Sequence, residues 1–273
     1  MAVRVITDSA AALDAGVAAE HGVVIVPIRV VVGGVAHRDG EVPLSEVVER
    51  FADGVSTSGP PPGAFLEALD GADEGAVVVT VAGNLSSTLT SAGVAAGRVP
   101  IDVRIVDSGT AAGAQALAAL RAARLAAAGA TLDEVEVEAR RVAGRARLFG
   151  MLETLDFLIA GGRVNHVFGG LARRLGVRPV FELSGGRIRK LRPAFSSAGG
   201  RRRLLSEWRR ARVPGARPHV IALHAMAEPA AHSLLDAVLA ECDPATAMVS
   251  EFGAGMVVHT GPGLVGLSWW WEP

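Results

Sequence analysis

Short apolar runs alternate with longer Ala- and Leu-rich stretches through the first half of this chain, and that alternation constrains its fold more than any single motif. Apolar runs of roughly four to eight residues suit buried strands, and the longer stretches between them suit crossover helices. The pattern therefore predicts a mainly parallel sheet with flanking helices. Strands are expected near Val3–Ile6, Val23–Val32, Ala76–Val81 and Val103–Val106. Helices are expected over roughly Ala11–His21, Leu44–Phe51, Gly63–Leu69, Ser87–Ala96 and Ala111–Ala128. Thr131 is placed to cap a charged helix from Leu132 to Arg147.

Beyond Leu148 the pattern changes. Val177–Leu183 and Ile188–Pro193 flank Ser184-Gly185-Gly186-Arg187, a hairpin signal that implies antiparallel strands. A basic helix over Arg201–Arg210, a strand over His219–His224, a helix over Ala230–Glu241 and closing strands near Met248 and Val257 complete the reading. The expected architecture is α/β in two lobes: an N-terminal lobe over residues 1–155 and a C-terminal α/β lobe with a mixed or antiparallel sheet over residues 156–273. The run Trp269-Trp270-Trp271 receives no role from sequence.

With 273 residues, 50% of them hydrophobic, and a formal net charge of −1, the chain has material for a real core and no dominant nucleic-acid footprint. Lys190 is the only lysine, a bias of composition rather than a motif. The single cysteine, Cys242, excludes an internal disulfide and a multi-cysteine metal site; it reads as a small core residue, with a cytoplasmic address as the default. The first strand begins too early for a signal peptide. Gly75 to Gly97 is uncharged, but Gly83-Asn84-Leu85-Ser86-Ser87-Thr88 at its middle is too polar for bilayer hydrocarbon. No integral membrane segment is expected, although transient contact with a membrane is compatible with the sequence.

Three strands of the first lobe end in polar turns: Thr7-Asp8-Ser9, Asn84-Leu85-Ser86-Ser87-Thr88 and Asp107-Ser108-Gly109. A fourth, Ser56-Thr57-Ser58-Gly59-Pro60-Pro61-Pro62, leads into a helix. Ligands of open α/β sheets gather outside the carboxyl ends of the strands, and unpaired N–H groups at helix starts favour anions. Hydroxyls added there make a neutral cradle for a carboxylate or phosphate. The competing reading is that these residues are helix caps. His259-Thr260-Gly261-Pro262-Gly263 offers a histidine beside a glycine-rich turn, and Gly161-Gly162-Arg163 offers an arginine on another. Familiar enzyme signatures fail. Gly261, Gly263 and Gly266 match G-x-G-x-x-G, but only 7 residues follow Gly266, too few for a crossover helix. Lys190 lies in no phosphate loop, and neither a G-x-S-x-G elbow nor an H-E-x-x-H zinc motif occurs.

Taken in order, these motifs resemble the DegV family of bacterial lipid-binding proteins, which includes the fatty-acid-carrying subunit of bacterial fatty acid kinase. Ile6-Thr7-Asp8-Ser9 is similar to the family's opening, and Thr57-Ser58-Gly59-Pro60-Pro61-Pro62 resembles its T-S-Q-P-S-P turn. Leu85-Ser86-Ser87-Thr88-Leu89-Thr90-Ser91-Ala92 resembles L-S-G-T-Y-Q-S-A, followed by Val106-Asp107-Ser108. Leu155 to Val164 ends in Gly-Gly-Arg, and His259-Thr260-Gly261-Pro262-Gly263 lies near the end. The resemblance implies a two-lobe DegV-like fold with an acyl chain buried between lobes. It implies a head-group site at Thr57, Ser58, Ser86, His259 and Thr260, with Arg163 near the acyl group. Gly59 stands in place of the usual glutamine, Leu89 in place of the usual aromatic, and Ala82-Gly83 where the family often has a serine pair.

What the resemblance implies for function is a binding protein. It would hold a long-chain fatty acid while an ATP-dependent fatty acid kinase subunit phosphorylates the carboxylate. No catalytic residue, metal site or cofactor of its own is expected; the fatty acid is the ligand. Two other readings stand beside it. One is a stand-alone α/β enzyme acting on a small acid or phosphate, with Asp8, Ser86 or His259 catalytic, and the other is a lipid-responsive regulator. Arginines cluster at Arg173-Arg174 and at Arg201-Arg202-Arg203 in an almost neutral chain. They are either a solvated helix face or the surface that recognises the partner's carboxylates.

Overall fold

The computed structural model describes residues 2–160 and 177–273. Among them the strands form three sheets. The first contains β1 (Arg4–Asp8), β2 (Val23–Val26), β6 (Ala76–Thr80) and β7 (Val103–Asp107), all parallel, in the order β2-β1-β6-β7. A small antiparallel sheet joins β3 (Arg29–Val32), β4 (Val35–Arg38) and β5 (Ser56–Ser58) in the order β4-β3-β5. The expected single strand over Val23–Val32 is thus two strands in two sheets. Pro27 divides them, because proline has no N–H to continue a ladder.

The remaining sheet runs β10-β9-β8-β13-β11-β12. Its strands are β8 (Arg147–Met151), β9 (Val180–Ser184), β10 (Arg187–Lys190), β11 (Arg217–His224), β12 (Thr246–Glu251) and β13 (Val265–Glu272). Every pairing is antiparallel except the parallel pair β11-β12, so the expected mixed sheet is present. Two sequence expectations need correction. The charged helix ends at Arg145 and not at Arg147, which already opens β8. Val257 belongs to a helix and not to a closing strand. Met256-Val257-Val258 is continuously apolar because that helix is buried on more than one side, Val257 against the main core and Val258 against the small sheet.

The helices are α1 (Ala15–Glu20), α2 (Leu44–Glu49), α3 (Pro62–Leu69), α4 (Thr88–Ala96), α5 (Ala112–Ala127), α6 (Leu132–Arg145), α7 (Asp156–Ala160), α8 (Ser197–Arg210), α9 (Glu228–Leu239) and α10 (Ala254–Thr260). Thr131 closes a capping box with Glu134 at the start of α6, as its position predicts. Layers alternate through the molecule. α3 and α4 cover one face of the parallel sheet around Phe65, and α8 and α9 cover the outer face of the mixed sheet around Trp208 and Leu234. Between the sheets lies α5. Its Ala114, Ala118 and Ala122 are fully buried in a core shared by Val77 and Val79 of the first sheet and Ile221, Leu223 and Trp270 of the second. The tryptophan run reads both faces of β13: Trp270 enters this shared core and stacks on His219 at 4.7 Å, while Trp269 points outward and stacks on Phe149 at 5.0 Å.

Small residues on α5 are a steric requirement. A Cβ on Gly113 would lie 2.9 Å from Ser268 Cβ and 3.0 Å from Ile221 Cβ. Both are the rooted ends of their side chains, so relief would have to come from the sheet itself. Overpacking of this kind costs about 1–3 kcal/mol, against about 1 kcal/mol gained from the helix preference for Ala over Gly. Gly113→Ala is therefore expected to lower the unfolding free energy in urea by about 1 kcal/mol. An unchanged or raised midpoint would show that the sheets yield instead.

Candidate functional site

The middle layer stops where α5 begins. Beyond its first residue the space between the sheets is open, and a cavity of about 890 Å³ occupies it. Ala10 and Val81, just past the carboxyl ends of β1 and β6, form one wall; Leu148, Leu183 and Leu223 of the mixed sheet form another. Phe252, Met256, Leu155 and Leu158 extend the apolar lining. The size lies within the range of roughly 300–1,000 Å³ usual for ligand pockets. The position, outside the strand ends of an α/β sheet, is where such folds bind ligands.

Hydroxyls line this apolar space as well. Thr57 and Ser58 arrive on β5, Ser86 on the turn before α4, and His259 and Thr260 at the end of α10. All five head-group candidates that fall within the described residues therefore line one cavity, although they come from distant parts of the chain. Thr57 Oγ1 and His259 Nε2 are hydrogen-bonded at 2.7 Å across the two lobes. Ser86 Oγ shares a hydrogen bond with Thr88 Oγ1 at 2.8 Å and accepts one from Thr88 N at 3.3 Å. Ser86 is thus both a turn cap and a cavity residue, and the two readings of it coincide. Thr260 Oγ1 donates to Met256 O at 3.1 Å, which commits its proton to the helix. A Cβ on Gly59 would sit 2.6 Å from Ser87 Oγ, so the glycine in place of glutamine lets the Thr57 and Ser86 turns meet.

Arg163, Arg173 and Arg174 lie outside the described residues. Arg201, Arg202 and Arg203 occupy the first turns of α8. That helix buries Leu204, Leu205 and Trp208 against the outer face of the mixed sheet, whereas Leu148, Leu183 and Leu223, which line the cavity, belong to the core on the inner face. Sequence reasoning missed Asn84, Ser87, Thr90 and Lys190 as lining residues. Asn84, Ser87 and Thr90 sit within or beside the Ser86 motif, a signal that was available. Lys190 reaches the cavity through β10, a placement that only strand pairing decides. Asn84 Nδ2 also donates to Gly186 O, and Gly186 N donates to Gly109 O at 2.6 Å, so the β9–β10 hairpin tip is tied to the N-terminal lobe. Among the described residues there is no group of three or more His, Cys, Asp or Glu placed to hold a metal, and no helix long and apolar enough to cross a membrane.

The other polar turns are structural ties. Asp107 Oδ1 accepts from Gly109 N at 2.8 Å, and its carboxylate also holds Gly83 N at 3.2 Å. Asp8, fully buried, accepts from Ala10 N at 3.0 Å and Val81 N at 2.8 Å, the backbone of two cavity-lining residues. Burial outweighs these donors and raises its pKa from 3.8 to about 6. A carboxyl that holds its proton more tightly when folded favours the folded state most at low pH. That contribution is lost as pH rises from 3.8 through about 6. Unfolding free energies at pH 4 and pH 7 are thus expected to show a component falling by about 2 kcal/mol over that interval. Asp8→Asn should remove this component; an identical pH dependence in wild type and variant would contradict it.

Known proteins match this architecture over nearly its whole extent. A family model described as "Uncharacterised protein, DegV family" matches residues 2–272. A DegV domain-containing protein of Streptomyces coelicolor is 37% identical over 275 residues, which cover 97% of this chain and 97% of the relative. The solved structure of a DegV family protein from Thermus thermophilus, described for its fatty acid binding, superposes with a TM-score of 0.87 at 30% identity, covering 99% of this chain and 100% of that one. The Fatty Acid Kinase (Fak) B3 protein of Streptococcus pneumoniae, loaded with linoleic acid, superposes with a TM-score of 0.85 over 99% of each chain at 19% identity, a likeness of fold. By sequence along its length and by fold, this chain belongs to the DegV family.

Proposed function

We propose that this protein binds a long-chain fatty acid, with its tail in the cavity and its carboxylate at the hydroxyl-bearing end, and presents it to a partner fatty acid kinase. The observation that carries the proposal is an apolar space of about 890 Å³ lined also by Thr57, Ser58, Ser86, His259 and Thr260, with Thr57 bonded to His259. The Thermus thermophilus relative, described for its fatty acid binding, supports the same ligand class. A tail of about sixteen carbons gains roughly 0.8 kcal/mol per buried CH₂, on the order of 10 kcal/mol before ordering costs. The polar end then has to orient the head group and keep its charge from being buried without donors. If Thr88 donates to Ser86, the Ser86 proton is directed outward; if His259 Nε2 donates to Thr57, the Thr57 hydroxyl is left to donate to the carboxylate.

On this reading catalysis belongs to an ATP-dependent kinase subunit in the cytoplasm, and the chain supplies binding and orientation. Ser86 bonds Thr88, and His259 bonds Thr57, an arrangement suited to holding a group rather than to activating Ser86 as a nucleophile. Arg201, Arg202 and Arg203 remain the proposed recognition surface for the kinase. They carry no ion pair among the described residues, whereas Arg209 and Arg210 of the same helix are paired with Glu241 and Glu207.

Native mass spectrometry of gently purified protein is expected to find one fatty acid per chain. Protein recovered empty that also fails to take up oleate or palmitate would overturn the proposal. Ser86→Ala or His259→Ala should weaken binding by about 1.5–3 kcal/mol, roughly ten- to a hundredfold, with the fold intact. Unchanged affinity in both variants would mean that the carboxylate lies elsewhere. Charge reversal at Arg201, Arg202 and Arg203 should slow kinase-dependent acyl phosphate formation, most strongly at low salt, while fatty acid binding survives. Wild-type rates at every salt concentration would leave this patch a solvated surface.

A further inference from the structure

We infer that Asp39 is a positioning residue for the head-group end of the cavity, acting through α10 on His259. The inference rests on the proposal that the carboxylate binds at that end. Asp39 follows β4 in the small sheet, and its carboxylate gathers parts of the chain that are far apart in sequence. Oδ2 accepts from Ser9 Oγ at 2.7 Å, and Oδ1 accepts from Gly255 N at 3.0 Å. Ser9 Oγ in turn accepts from Ile28 N at 3.0 Å. One side chain therefore joins the turn after β1, the entry to the small sheet and the first turn of α10.

The approach is close enough to dictate residue type. A Cβ on Gly253 would lie 2.7 Å from Asp39 Oδ2, and one on Gly255 would lie 3.0 Å from the same oxygen. At its other end the 7-residue α10 carries His259, whose Nε2 meets Thr57 Oγ1 at 2.7 Å. β4, which precedes Asp39, and β5, which carries Thr57, both pair with β3, so a single small sheet grips the helix at both ends. Between the grips Ala254 and Val258 pack on Val30 and Val32. An apolar seam resists separation but permits sliding and rotation; hydrogen bonds at both ends set the register. What the group delivers is two acceptor oxygens in fixed places, one for Ser9 Oγ and one for Gly255 N, and these donors oppose the burial that pushes its carboxyl above the ordinary carboxylate range.

Asp39→Asn replaces one of those oxygens with a donor. Titration calorimetry should show its palmitate affinity falling by on the order of tenfold, with 1-hexadecanol, which has the tail but no carboxylate, held within about twofold of wild type. In a cycle with His259→Ala, adding Asp39→Asn should cost nothing further for palmitate, because its effect passes through His259. Equal losses for both ligands, or additive losses in the cycle, would reduce Asp39 to a general structural role and overturn the inference. If His259→Ala by itself leaves palmitate affinity unchanged, the head-group reading fails and the inference falls with it. Should Asp39→Asn not fold, Ser9→Ala, which removes the donor to Asp39 Oδ2, is read by the same ligand pair and the same cycle.

Discussion

Alanine and glycine on α5 let a parallel sheet and a mixed sheet approach the same helix from opposite sides. With Ala114, Ala118 and Ala122 fully buried and no room for a Cβ on Gly113, the distance between the sheets is set by backbone and methyl groups. Larger side chains from the sheets then fill the remaining space, among them Val77 and Val79 on one side and Leu223 and Trp270 on the other. The two lobes consequently share one core. Two polar side chains inside it are bonded to each other and to the sheet: Gln115 Nε2 donates to Thr7 Oγ1 at 3.0 Å, and Thr7 Oγ1 donates to Val79 O at 2.8 Å. These bonds tie the helix to the parallel sheet and limit the cost of burying an amide.

The cavity is the other half of the same arrangement. Sheets held apart by one helix leave a gap wherever that helix ends, and the gap inherits apolar walls from both of them. Its polar end cannot come from either lobe by itself, since Thr57 belongs to the small sheet near the first lobe and His259 to a helix of the second. The ligand proposed for it divides the work in the same way, with the tail supplying affinity and the hydroxyls direction.

At the far side of α5 an ionic cluster closes the layers. Glu138 of α6 accepts from Arg121 Nε at 2.6 Å and from Arg141 Nε at 2.6 Å. Arg121 continues to Glu272 of β13 at 3.1 Å, and Glu272 lies 3.2 Å from His219 Nε2. The Arg141 hydrogen bond is the main reason that the Glu138 pKa falls to about 2. A carboxyl depressed in this way stabilises the fold above its ordinary pKa, and the contribution disappears as pH falls toward 2. The cluster thus connects α5, α6 and β13, the same three elements that the shared core joins from within.

Local pattern carried much of this protein. The alternation of strand and helix, the capping box at Thr131 and the hairpin at Gly185-Gly186 all follow from chemistry within a few residues, and all are present. The polar turns were legible as a set but not by role. Asp8 and Asp107 proved to be ties within the first lobe, whereas Thr57 and Ser86 face the cavity, because the difference depends on which backbone N–H groups lie nearby in space. Val257 deceived for a related reason: a short helix buried on more than one side loses the polar face that marks a helix in sequence. The strand order, the meeting of Thr57 with His259 across 202 positions of chain and the grip of Asp39 on α10 belong to tertiary structure. Sequence determined which segments form strands and helices, since those preferences act between near neighbours. The packing of two sheets on one helix decided which of those segments meet, since contact between distant residues depends on the shape of the whole core.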